Sequence, residues 1–102
     1  MAFGTIKMDK VSEEAMSAVY KVSTDDYAGS DFYVRVDKES QAISFYLDQG
    51  LAACVYIIDS ANKDQPIKNI PGVHKIVLMG SISKALKIMK AESFPDKVGY
   101  SA

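Results

Sequence analysis

The chain has 102 residues, 48% hydrophobic and 25% charged, with ten aromatics, no Trp and a formal net charge of −1. That length and composition indicate one domain over residues 1–102, able to bury roughly 60–65% of the surface its unfolded chain exposes, and they exclude a disordered or collagen-like chain. One cysteine rules out an internal disulfide, the longest apolar run (Leu51 to Ile58) is too short to span a bilayer, and no signal-peptide pattern opens the chain, so a soluble cytoplasmic protein with no membrane partner is expected.

Ala2 to Met8 alternates, with Ile6 and Met8 on one side and Thr5 and Lys7 on the other, and reads as a strand. Ser12 has the character of an N-cap. Glu13 and Glu14 follow it, where carboxylates suit the positive helix end, and Val11 can staple to Met16. Ala15, Met16, Val19 and Tyr20 then form the buried face of a short N-terminal helix. The rival reading, a strand through Ala18-Val19-Tyr20-Lys21-Val22, has the better local propensity.

Thr24 to Asp31 is turn chemistry, with short polar side chains that bond their own backbone and Gly29 for positive φ. Asp25, Asp26 and Asp31 lack the spacing of a calcium loop and no glutamate closes the set, so no metal is expected there.

The next two segments alternate cleanly. Phe32, Val34 and Val36 interleave with Tyr33, Arg35 and Asp37; after Lys38 to Gln41, Ile43, Phe45 and Leu47 interleave with Ser44, Tyr46 and Asp48. They read as a hairpin. If Val36 faces Ile43, the outward face sets Tyr33 opposite Tyr46 and Arg35 opposite Ser44. Arg35 is the only arginine in the chain, and arginine and tyrosine are residues that interface cores favour, so Tyr33, Arg35, Ser44 and Tyr46 form the candidate binding surface. An ordinary solvated sheet face is the bland alternative.

Leu51 to Ile58 is apolar throughout apart from the Tyr56 hydroxyl, which fits a strand covered on both faces and a buried, inert Cys54. Asp59 to Gly72 is a long connection with Pro66 and Pro71-Gly72, of a length at which loops are functional or mobile. His74 to Met79, apolar at its last four positions, reads as a second doubly covered strand, broken by Gly80-Ser81. From Ile82 the period becomes helical: Ile82, Ala85, Leu86 and Met89 form the core stripe, with Lys84, Lys87 and Lys90 opposite and Ile88 among them. Ser81 is the expected N-cap and Pro95 the stop. A phosphate cradle at Gly80-Ser81 lacks the fuller glycine-rich loop that nucleotide sites use.

The charges are uneven along the chain. Residues 1–66 hold eleven acids against six bases, and residues 67–102 hold six bases against two acids. Complementation within the fold or across a homo-oligomer accounts for this; an acidic partner or nucleic acid for the lysine helix is the alternative, weakened by the lack of interleaved aromatics.

His74 is the only histidine, so any acid–base chemistry must use it, and Asp59 is its candidate partner near the long loop. One His and one Cys fall short of a zinc site, and a thiol among apolar neighbours is no nucleophile. No catalytic residue, metal or cofactor is assigned. The fold expected is α+β: a mostly antiparallel sheet of four to five strands, a C-terminal amphipathic helix packed on one face, and a short N-terminal helix. The function expected is a non-enzymatic protein-interaction or regulatory module, a homo-oligomer or a binder of another protein, with Tyr33, Arg35, Ser44 and Tyr46 as the contact. The alternative is a small-ligand binder or small enzyme with a pocket at Tyr56, Asp59, His74 and the 59–72 loop.

Overall fold

The computed structural model describes residues 5–24, 31–48, 50–51, 54–61, 64–68, 70, 73 and 75–101. Six strands, β1 (Thr5–Glu13), β2 (Ser17–Thr24), β3 (Phe32–Asp37), β4 (Ala42–Tyr46), β5 (Cys54–Ile58) and β6 (Lys97–Ser101), form one antiparallel sheet in the order β5-β4-β3-β2-β1-β6. One helix, α1 (Lys75–Lys90), precedes β6, so the chain passes from one edge strand to the other through the helix. The α+β class holds, with more strands than the sequence suggested.

Alternation decides which side of the sheet the helix covers. Ile6 and Met8, Ala18, Tyr20 and Val22, Phe32, Val34 and Val36, and Ile43 and Phe45 share the inner face and are buried. They form one core with Val77, Leu78, Ile82, Ala85 and Ile88 of α1, and the helix packs chiefly on the central strand β3. Phe32 and Phe45 meet at 6.2 Å between ring centroids, and Tyr56 stacks on Phe45 at 5.5 Å.

The β3–β4 hairpin has the register expected from its pattern, with Val36 opposite Ile43, Arg35 opposite Ser44 and Tyr33 opposite Tyr46. Its loop is built by local bonds: Asp37 Oδ1 accepts from the backbone N–H groups of Glu39 and Ser40, and Gln41 closes the turn at φ 57.

Three expectations are overturned. Residues 12–22 form no helix: β1 runs through Glu13, the chain turns with a Glu14 N–H to Ser17 carbonyl bond of 2.7 Å, and β2 follows. The helical spacing of Val19 and Tyr20 was accidental, because in β2 they point to opposite faces. Ser12, read as a cap, pairs with Val19 beside a bulge at Val11.

Residues 75–79 are helix, not strand. A run of four apolar residues fits either state, and here it joins the helical stripe Val77, Leu78, Ser81, Ile82, Ala85 and Ile88. Ser81 is therefore no cap: it lies fully buried in mid-helix, with its hydroxyl donating to the Leu78 carbonyl at 2.7 Å. The longer helix also fixes a different phase, so Ile88 is buried whereas Leu86 is 46% exposed.

The apolar segment ending at Ile58 is an edge strand, short and half exposed, and Cys54 is exposed on it. A strand at the edge has a wet side however apolar its sequence. Lys68 Nζ reaches the Val55 carbonyl at 3.3 Å and covers part of that edge. The long connection contributes Ile70 to the core, with Ile67 and Val73 packed against it. The aspartates at 25 and 26 lie outside the described residues, and so does His74. No described helix is long and apolar enough to cross a membrane.

Candidate interaction surface

The outer face of the sheet is set by the same registers. One row crosses four strands as Val19, Arg35, Ser44 and Ile57; the next runs Lys21, Tyr33, Tyr46 and Cys54, with a bulge between the last two strands. At about 4.8 Å per strand these rows are roughly 15 Å wide. The sequence-derived set Tyr33, Arg35, Ser44 and Tyr46 is thus brought together at the centre of this face.

Arg35 is half-buried. Its Nη2 approaches Ser17 Oγ at 3.5 Å and Asp37 Oδ2 at 3.6 Å, on the same face of neighbouring positions. Neither contact is bidentate, so the planar fork is held by long, single contacts rather than matched to a carboxylate. Lys21 and Asp31 form a looser pair at 3.7 Å. Val19 is only 7% exposed, yet it lies outside the core cluster, so the outer face has an apolar element of its own. One sequence reading places Val19 on a helix, whereas the rival strand through Ala18 to Val22, which β2 bears out, is the signal that locates it outward.

Of the second sequence-derived set, Tyr56, Asp59 and His74, the first two lie among the described residues and His74 lies outside them. Tyr56 is engaged with Phe45 on the inner face. Asp59 Oδ1 accepts from the Ala61 N–H at 2.9 Å and lines an open groove of about 480 Å³ between β4, β5 and the last turns of α1. The groove has Ile43, Ile58, Leu86 and Met89 as its apolar walls and Asp59 and Lys90 on its rim. Among the described residues no group of three or more His, Cys, Asp or Glu could hold a metal ion.

The chain matches no protein-family model, no curated protein and no solved structure.

Among the described residues, a cluster of perturbed titratable groups lies elsewhere, at the end of the sheet where the chain leaves α1 for β6. Lys10 Nζ contacts Asp96 at 2.8 Å, Glu13, and the Phe94 carbonyl at 3.2 Å. Its ammonium is held charged well above the usual lysine range by hydrogen bonding to Asp96 and then Glu13. The same bond keeps the Asp96 carboxyl below its ordinary value. Tyr20 donates to the Pro95 carbonyl at 2.7 Å, and burial pushes its phenol up to about 12. These groups tie the 91–96 crossing to β1 and β2, which is a structural task. No sequence signal pointed to them, because the partners come from opposite ends of the chain.

Proposed function

We propose that the chain is a non-enzymatic interaction module that self-associates through the outer face of its sheet. The observation that carries this is the placement of Arg35 beside the Tyr33–Tyr46 pair, with Ile57 exposed at the β5 end of the Arg35 row. Large arginine and tyrosine side chains at the centre with an exposed apolar residue at the edge suit a contact core, and a two-fold axis through it would set each Arg35 over a tyrosine of the second copy. Sedimentation equilibrium at micromolar concentration tests this. The expected mass is about twice the 11.2 kDa of one chain, falling to one chain in Arg35→Glu and Tyr46→Ala with the melting temperature little changed. A wild-type monomer, unaltered by Arg35→Glu, overturns it.

A second reading has one specific observation in its favour, the groove beside Asp59. Its volume of about 480 Å³ falls within the range of small-ligand sites. Under this reading a fragment screen followed by methyl NMR gives saturable shifts at Leu86 and Met89 that are lost in Ile58→Trp. No saturable shift at either methyl group removes it.

A further inference from the structure

The helix carries a second, outward-facing surface that the sheet-face reading does not use. At about 100° per residue, its exposed positions fall on an arc of about 120°. That arc holds Ile76, Met79 and Leu86, exposed by 41%, 47% and 46%, interleaved with the exposed Lys75, Lys87 and Lys90. The 16-residue helix contains no acidic residue, and among the described residues these three lysines form no ion pair. Half-exposed large apolar side chains and unneutralised lysines thus share one convex crest.

We propose that this crest docks on an anionic membrane surface, lying on the bilayer rather than crossing it. Each feature asks for a particular partner. The lysines require an anionic one and oppose a second copy of the same crest by like-charge repulsion. Phosphate backbones offer nothing to Met79 and Leu86, and the helix has neither arginine nor aromatic to grip nucleic acid. A single helix crest, about 24 Å long and about 10 Å wide, presents far less than the roughly 800 Å² per partner of a stable protein interface. A lipid surface needs no concave complement: apolar side chains enter the acyl boundary while lysines reach up to the headgroups. The proposal does not depend on self-association through the sheet.

The test is co-sedimentation of the full chain with extruded vesicles of phosphatidylcholine alone, or with about 30% phosphatidylserine, at about 0.1 M salt. Binding is expected only with phosphatidylserine, and it should fall sharply at about 0.5 M salt, where screening is nearly complete within a few ångströms. Lys87→Glu/Lys90→Glu should weaken it at least about tenfold. Met79→Ser/Leu86→Ser should weaken it as well, which a purely electrostatic contact would not show. All these positions are exposed, and circular-dichroism melts confirm that each variant is folded. Equal binding to both vesicle types, no binding to either, or binding indifferent to either double substitution overturns the proposal. Capture on immobilised polyglutamate as strong as on vesicles, and insensitive to Met79→Ser/Leu86→Ser, reassigns the crest to an acidic macromolecule.

Discussion

Lys10 Nζ lies 2.8 Å from Asp96 Oδ1, joining the bulged end of β1 to the residue before β6. The backbone repeats the link, since the Lys10 N–H donates to the Asp96 carbonyl at 2.8 Å. Lys38 completes the fastening: its Nζ donates to the Ala91 carbonyl and sits 4.4 Å from the centre of the Phe94 ring. The crossing from α1 to β6 is therefore held by cationic side chains and one phenol.

This cluster sets a pH response. Lys10 and Tyr20 both have folded values raised above their unfolded ones, so the folded chain keeps protons that the unfolded chain releases. Stability from both groups is present below about pH 10 and declines as pH rises from there toward the folded values. Asp96 has the opposite sign. Its value is depressed, so its contribution is present above about pH 4 and lost as pH falls through the folded value. Thermal melts should show a plateau at neutral pH with an alkaline fall. Tyr20→Phe should cost about 0.5–1.5 kcal/mol at pH 7 for the bond to Pro95 and make the alkaline fall shallower. An alkaline limb that superimposes on the wild type would rule out Tyr20 as its source.

The register of the β3–β4 hairpin predicts a contrast between chain neighbours. Ile43 is 1% exposed in the core, and Ser44 beside it is on the opposite face, opposite Arg35 and 7% exposed. Ile43→Ala should cost about 2–5 kcal/mol by denaturant melts, against about 1 kcal/mol or less for Ser44→Ala, which removes one hydroxyl and opens no large cavity. Similar costs at the two positions would mean that the strand is slipped by one residue.

That hairpin was legible because period-2 alternation, a short polar loop and a cross-strand pairing all agree in Phe32 to Tyr46. Where a pattern fits two states, local sequence cannot choose. Ile76 to Met79 is apolar at every position, and only the packing of Val77 and Leu78 against the sheet selects helix. Leu51 to Ile58 shows the complementary failure, since apolar composition does not reveal that a strand stands at an edge. β6 was missed because five residues, Lys97 to Ser101, carry too little pattern on their own and owe their place to pairing with β1. The outer-face set was found through the hairpin register, and Val19 joined it only once residues 17–24 were seen as a strand.

The edge position of Cys54 predicts its reactivity. The thiol is exposed, and its sulfur lies 3.2 Å from the Tyr56 carbonyl oxygen, to which it donates. An aromatic disulfide reagent should label it fully in the native protein, without denaturant and in a single phase. Labelling that needs denaturant would return Cys54 to the interior.

Ser81 offers the sharpest test of the continuous helix. If a strand ended at Gly80 and Ser81 capped a helix starting at Ile82, Ser81→Asp would be nearly neutral, because aspartate caps as well as serine. In the continuous helix Ser81 is fully buried between α1 and the sheet, and its hydroxyl serves only the Leu78 carbonyl. An aspartate there places a carboxylate in the core with a carbonyl, not a donor, in front of it. The expected loss is about 3 kcal/mol or more at pH 7. The sign of its pH dependence follows from the same cause. Burial raises the folded value of the introduced carboxyl above the unfolded one, so the deficit should shrink as pH falls through that raised value, where the group folds in its neutral form. Denaturant melts of Ser81→Asp at pH 7 and pH 5 measure both. A variant as stable as the wild type at pH 7 would restore the break at Gly80-Ser81 and remove residues 75–80 from the helix.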